Sequence, residues 1–296
     1  MQNAQDVSRS VLHRSAPSPL TVLGALLLFG GAFAGVALAV AQALYPGGVD
    51  WQNTYRPATL AVLSWRSPYT VEIFHSPPWT TFPLLPLAVF PARIGFGLNF
   101  CLSLTVTGYV AYRLGAKPLT LAAVLLSYPV LFSTVYGNVD WLVYLGVILP
   151  ARWGLFLVLT KPQAGLGVAV YWLAEHYRRD GLRGVISHFA PVSLALGLSL
   201  AFFGPWPLTG FSEVVQPFNA SLWPQSLPIG LVLLVTALRT RRLGLALAAS
   251  PFLSPYTTAS SWGSAILGLL PLQWETITAV IAVWVLRIFT GYFLTG

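Results

Sequence analysis

From Leu20 to Leu44 the chain runs for about 25 apolar residues without a charge, long enough to cross a bilayer with some tilt. Similar runs recur to the C-terminus. Their total leaves only 8% of the 296 residues charged, with 56% hydrophobic and a mean hydropathy of +0.71. A soluble domain has roughly a quarter of its residues charged. So few charges cannot coat a water-soluble globule of this length, so the outer surface must be apolar as well. Since no polar stretch is long enough for a second unit, residues 1–296 read as one transmembrane domain of all-α class.

The basic residues orient it. The net charge is +8, with 16 Lys and Arg. They sit between the apolar runs rather than on one basic face, which argues against a nucleic-acid partner. Arg9 and Arg14 precede the first run, which makes 1–19 a cytoplasmic tail. Arg178, Arg179 and Arg183 form one further cluster, and Arg239, Arg241 and Arg242 another; such clusters mark cytoplasmic loops. A cleaved signal peptide is the alternative for the first run, because Ala41-Gln42-Ala43 resembles a cleavage site. The single cysteine, Cys101, excludes an internal disulfide.

Further spans are expected at about 78–91, 94–112, 118–135, 138–150, 153–176, 186–203, 226–238, 243–255, 260–272 and 275–294, roughly nine to eleven in all with some re-entrant. A break at Phe90-Pro91-Ala92-Arg93 makes the count before Arg178 even, although Arg113 and Lys117 then fall outside. Two long loops face the exterior, 45–77 and 204–225. Six tryptophans, Trp51, Trp65, Trp79, Trp206, Trp223 and Trp262, lie in or beside outward segments, as an interfacial aromatic belt does.

The first of these loops is rich in chemistry. Trp51, Tyr55, Ala58, Val62 and Trp65 recur at helical spacing. They predict a short amphipathic helix on the membrane surface, with Pro57 as a kink. Ser76-Pro77-Pro78 reads as a cap and first turn of the next span. The loop also carries Asp50, Arg56, Arg66, Glu72 and His75, the densest ionisable cluster on the outward side. A carboxylate at a water–lipid boundary is competent as a general base, and nearby cations stabilise a phosphate leaving group. Solvated loop charges, or an N-cap role for Asp50, are the alternatives.

Asp50, Tyr55 and Pro57, then Ser67-Pro68-Tyr69, Ser76-Pro77-Pro78 and Leu84-Leu85-Pro86-Leu87-Ala88, follow one another along the loop. Together they resemble the start of the integral-membrane GT-C glycosyltransferases, and most closely the polyprenol-phosphate-mannose-dependent branch, family 87. Further on, Tyr136-Gly137-Asn138 resembles that family's Gly-Gln-x-Asn stretch, with Asn where the Gln would stand. Leu159-Thr160-Lys161-Pro162 resembles its Lys segment, Phe218-Asn219-Ala220-Ser221-Leu222 its Asn-x-Ser loop, and Ser250-Pro251 and Ser254-Pro255 its late Ser-Pro segment. The resemblance implies a GT-C-like bundle with its active site on the exterior face of the cell membrane. Asp50 would be the catalytic base. An acceptor hydroxyl would attack the anomeric carbon of a polyprenyl-phosphate-linked sugar with inversion, and the lipid phosphate would leave. Arg56, Arg66, His75, Asn138, Asp140, Lys161 and Asn219 are the candidates for binding donor phosphate and substrate. The implied partners are the polyprenyl-phosphate sugar, a lipid or glycan acceptor and membrane lipids.

Asp140 and Lys161 lie in apolar surroundings. At a span centre each would cost roughly 2.5–3.5 kcal/mol, so each needs a partner or water. They are read either as an ion pair stapling two helices or, for Lys161, as a contact to the donor phosphate. His188 reads as a helix–helix hydrogen bonder. Asn219-Ala220-Ser221 also fits a glycosylation sequon. No His, Cys or carboxylate set has metal-site spacing, and no cofactor is expected. A non-catalytic carrier or flippase for a lipid-linked substrate is the competing function. A carrier places its ionisable residues at mid-membrane in paired broken helices, whereas an enzyme concentrates them at one interface.

Overall fold

The computed structural model describes residues 19–44, 47–211 and 216–289. The tail with Arg9 and Arg14, residues 45–46 and 212–215 of the two loops expected to face the exterior, and the end of the last expected span lie outside the described residues. Every regular element among the described residues is helical. Two helices are long and apolar enough to cross a membrane by length and composition, Ala92–Arg113 and Pro162–Phe203. The pair Pro118–Leu125 and Tyr128–Tyr136, bent by 50°, makes a third if counted as one broken span.

Proline accounts for most departures from the expected spans. Residues 78–91 form no span. Instead a 3₁₀ stretch, Pro78–Leu84, runs into a one-turn helix, Leu85–Ala88. Prolines 77, 78, 83 and 86 remove donors that a continuous helix would need. Ser76 caps nothing there, since the 3₁₀ stretch is preceded by Pro77. The break at Phe90-Pro91 is present, with Pro91 extended ahead of Ala92–Arg113. The expected span 153–176 is interrupted at Thr160-Lys161: Pro162 opens the next helix, which pushes Lys161 out of the helical region to φ −135, ψ 88. The segments 138–150, 243–255 and 260–272 are likewise represented by short helices, Asp140–Val147, Leu243–Ala249 and Gly263–Gly268.

Numbered along the chain, α1 is Pro19–Leu44, α2 Arg56–Leu63, α3 Leu85–Ala88, α4 Ala92–Arg113, α5 Pro118–Leu125, α6 Tyr128–Tyr136, α7 Asp140–Val147, α8 Ala151–Val158, α9 Pro162–Phe203, α10 Leu227–Thr240, α11 Leu243–Ala249, α12 Gly263–Gly268 and α13 Gln273–Phe289. α1 and α4 pack closely, because a Cβ on Gly97 would collide with the Ala37 carbonyl. The Arg93 guanidinium donates to Ala41 O at 2.7 Å, so the start of α4 lies beside the end of α1. α4 therefore runs back along α1, carrying Arg113 about 30 Å from Arg93. α7 and α8 form a tight pair in which a Cβ at Gly146 or Gly154 would meet the other's carbonyl.

α9 is two arms, not one rod. In a straight helix His176 and His188 would stand about 18 Å apart. Their rings stack instead at 3.6 Å. The chain turns back at Gly181, whose φ of 59 and ψ of −149 suit glycine alone. The elbow falls within the Arg178–Arg183 cluster, between the two spans expected there. Arg178 also donates to Leu238 O at 2.6 Å, and Glu175 pairs with Arg178 at 3.3 Å and Arg241 at 4.0 Å. Both basic clusters thus occupy one end of the molecule, about 25 Å along the arm from Lys161.

In the first loop a π-turn, Trp51–Tyr55, leads into α2, with Pro57 in the first turn of α2 rather than at a kink. The predicted apolar face exists as far as Ala58, but it meets protein. Trp51, Tyr55 and Ala58 are buried with Phe74, Leu84, Phe96 and Trp141. Trp65 is 99% exposed because the chain leaves the helix there at φ 57. The tryptophans likewise divide. Trp51, Trp79, Trp206 and Trp262 are buried, and their indoles donate to Ala92 O, Phe156 O, Ser199 Oγ and Ala220 O at 2.8–3.1 Å. They staple loops to helices. Among the six, Trp65 and Trp223 are the exposed ones.

Candidate functional site

A cavity of about 720 Å³ lies between the first loop, the start of α9, its returning arm and the loop before α12. Most of its wall is apolar, from Trp79, Phe132, Leu166, Leu196, Trp206 and Phe218. Its ionisable lining is Asp50, Tyr55, His75, Tyr136, Lys161 and Tyr256.

Asp50 enters through a glycine turn. Gly48 has φ 78, and a Cβ on it would strike the Phe96 ring. Its N–H donates to Val135 O at 3.0 Å, tying the loop to the end of α6. Asp50 follows in helical conformation with no capping hydrogen bond from its side chain, which rules out the N-cap reading. Its Oδ2 instead accepts from Asn138 Nδ2 at 2.6 Å. Burial pushes the carboxyl from 3.8 up to about 6; Lys161 pulls it down, Asp140 adds to the rise and the Asn138 N–H pulls it down again. It is a carboxylate poised near neutrality, as a general base needs.

Asn138 is placed by the end of α6. Gly137, at φ 74, closes the helix with its N–H on Thr134 O (3.2 Å), and Asn138 N–H reaches Ser133 O (2.8 Å). This is a Schellman ending. A Cβ on Gly137 would also clash with Trp51, so the glycine serves both the turn and the approach of the first loop. The Tyr55 hydroxyl donates to Asn138 Oδ1 at 3.0 Å. Burial, with Asp50 beside it, holds that phenol well above its ordinary range, so it remains a donor.

Behind the cavity wall lies the second cluster. Lys161 Nζ is 2.9 Å from Asp140 Oδ2 and 3.4 Å from Ser260 Oγ. Asp140 also accepts from Ser133 Oγ at 3.0 Å and Ser261 Oγ at 3.3 Å. Thr258 Oγ1 lies 2.9 and 3.0 Å from the hydroxyls of Ser260 and Ser261. Asp140 is wholly buried and Lys161 reaches the cavity with 5% exposure. The ion-pair reading of these residues is therefore realised geometrically, and Lys161 also faces the cavity that Asp50 faces.

The remaining candidates divide. His75 lines the cavity, and burial lowers its imidazole below the ordinary range despite Glu72, so at neutral pH it offers hydrogen bonds but no charge. Arg56 is not on the cavity: its guanidinium donates to Phe90 O at 3.2–3.3 Å, tying α2 to the turn before α4. Arg66 is exposed beyond the end of α2. Asn219 is a loop clamp, donating to Pro255 O at 3.2 Å and accepting from Thr257 N and Ser221 N at 3.1 and 3.0 Å. With both ends of its amide engaged it is a poor glycosylation acceptor. The clamp holds Tyr256, which sequence reasoning missed. That phenol lines the cavity, pushed up to about 12 by burial and by Asp50. Among the described residues no group of three or more His, Cys, Asp or Glu is placed to hold a metal ion.

No protein-family model, curated protein or solved structure matches this chain.

Proposed function

We propose that this chain is a polytopic membrane glycosyltransferase that moves a sugar, mannose by resemblance, from a polyprenyl phosphate to a lipid or glycan acceptor. The observation that carries the reading is that a carboxylate poised at about 6 and a lysine ammonium line one largely apolar cavity. Asp50 takes the proton of the acceptor hydroxyl as it attacks the anomeric carbon. The bond to the lipid phosphate breaks with inversion, and Lys161 meets the charge that develops on the phosphate oxygens. The apolar wall suits a lipid-borne donor, which brings its own activated sugar to the membrane and needs no nucleotide there.

The membrane arrangement follows the helix directions. α1 carries the chain from the cytoplasm to the Asp50 end and α4 returns it, so Arg113 and Lys117 fall on the cytoplasmic side. The bent pair α5–α6 goes out again, α7 and α8 form a hairpin between the two faces, and the arms of α9 cross inward and back around Gly181. All the basic clusters then share one side, as the positive-inside rule requires, and residues 1–296 form one GT-C-like domain.

A carrier for a lipid-linked substrate is the second reading, favoured by one observation: Asp140 and Lys161 meet at the open end of the paired short helices α7 and α8. One experiment separates the two. The purified protein in lipid nanodiscs is given polyprenyl-phosphate [¹⁴C]mannose and a glycolipid extract as acceptor. Label passing to acceptor with release of polyprenyl phosphate supports the transferase. Movement of intact donor between the leaflets of proteoliposomes, with no cleavage by wild type, supports the carrier and sinks the transferase.

A further inference from the structure

We infer that Asn138 is a positioning residue that fixes which oxygen of Asp50 faces the cavity, and that Tyr55 and the Val139 backbone lock Asn138 in the required orientation. The amide can be assigned from its surroundings. Its Oδ1 accepts from two donors, Tyr55 O–H at 3.0 Å and Val139 N–H at 2.8 Å. The backbone N–H is only a donor and cannot reverse its role, and the protonated phenol supplies the second donor. The –NH₂ end must then point the other way, where it meets Asp50 Oδ2 at 2.6 Å. Turning the amide over would set its –NH₂ against the Val139 N–H and its oxygen against the carboxylate, losing both of those hydrogen bonds together.

The consequence for Asp50 is directional. One oxygen, Oδ2, is engaged by the Asn138 N–H, so Oδ1 is the less encumbered atom to take a proton from the cavity. The lock is built from three places in the sequence: the π-turn holding Tyr55, the Gly137 ending of α6 and the entry to α7. The charged and titratable groups around Asp50 are Lys161 and Asp140 from the junctions of α7, α8 and α9, Tyr55 from its own turn and Tyr256 from the loop before α12. His75 shares the cavity. Among these, Lys161 and Asp140 act on Asp50 through charge, and Asn138 supplies the hydrogen bond to the carboxylate.

The inference rests on the transferase reading for its purpose, and its test does not. A hydrophobic carbodiimide modifies protonated carboxyls, and the labelled Asp50 peptide is quantified by mass spectrometry across pH, with Asp50→Asn as the blank. In wild type the labelling midpoint lies near the Asp50 value of about 6. Asn138→Leu raises it by about one pH unit, the size expected for losing one hydrogen bond to a charged group. Asn138→Asp raises it further and splits the titration into two steps, because two carboxyls then share a site. Tyr55→Phe raises it by a few tenths, since Val139 still holds the amide, while Tyr69→Phe, whose hydroxyl serves Ser76 O, leaves it in place. Should Asn138→Leu fail to accumulate in the membrane, Tyr55→Phe and Asn138→Asp carry the test. A midpoint unmoved in the folded Asn138 and Tyr55 variants overturns the lock. Shifted midpoints in a protein that transfers no sugar leave the lock standing and sink the transferase reading instead.

Discussion

The Lys161 ammonium sits 2.9 Å from the Asp140 carboxylate, with Ser260 as a second acceptor and the cavity in front of it. An ammonium has three donors, and two are accounted for by these partners. The ammonium is thus held by a buried pair while it also lies on the cavity wall, and substitutions can separate the two roles.

Lys161→Met alone leaves Asp140 buried and uncompensated, which costs about 3–5 kcal/mol. The double variant Lys161→Met/Asp140→Leu removes both charges and regains most of that stability. If Lys161 meets the donor phosphate, the double variant still binds polyprenyl phosphate weakly. Thermal melting and a donor-binding titration on the same preparations check this. Recovery of both stability and transfer would reduce Lys161 to a staple.

Asp50→Asn keeps the shape and can still accept from Asn138. The variant is expected to insert, fold and bind polyprenyl phosphate while transfer falls by about 10²–10⁴-fold. Near-normal turnover by the purified variant would remove Asp50 from the catalytic role.

The pH dependence has a definite sign. On the transferase reading a base titrating at about 6 works when deprotonated, so transfer is expected to rise with pH through a limb centred near 6. Stability runs the other way. The folded value lies above the reference of 3.8, so the native chain holds the extra proton and Asp50 destabilises the fold progressively between those values. Asp50→Asn is therefore the more stable protein at pH 7, by roughly 1–3 kcal/mol, and the gap closes as the pH falls toward 4. Melting curves of both proteins at pH 4, 5.5 and 7 test it; a gap that widened toward acid would contradict the burial argument.

Orientation is checked by labelling. Single cysteines at positions 66 and 180, in a background with Cys101 replaced by Ser, are expected to react from opposite sides of sealed vesicles. Arg66→Ala, by contrast, should leave transfer within about twofold, because its side chain is exposed and off the cavity. Labelling of both positions from one side would dismantle the membrane arrangement.

How much of this was legible beforehand depends on where the information sits. Charge-free runs, the Phe90-Pro91 break and the basic clusters are local patterns, and they place α1, α4 and the elbow of α9. The lengths of the other spans were misjudged because hydropathy averages over prolines: Pro78, Pro83 and Pro86 are apolar by composition but break the ladder. The first loop's helical periodicity identified the buried face Trp51, Tyr55 and Ala58, yet hydropathy could not say whether lipid or protein covers it. Asp50, Asn138 and Lys161 do line one cavity, with Asp140 directly behind. Arg56, Arg66 and Asn219 do not, because their partners are backbone carbonyls, backbone N–H groups or solvent, which no spacing rule reveals. Tyr256 went unnoticed because a lone tyrosine in a Ser-Pro loop carries no signal until Asn219 folds that loop back.

The closeness of Asp140 and Lys161 along the chain also bears on how the protein is made. They are 21 residues apart, whereas Ser260 lies 99 beyond Lys161. The two charges therefore emerge from the ribosome almost together, on one hairpin, and can neutralise each other before either is committed to the lipid phase. Of the hydroxyls that complete their coordination, Ser133 precedes both charges, while Ser260 and Ser261 follow from a distant part of the chain. The pairing of the two charges is thus local in sequence, whereas the cavity in front of them draws its lining from Val49 through to Ala259.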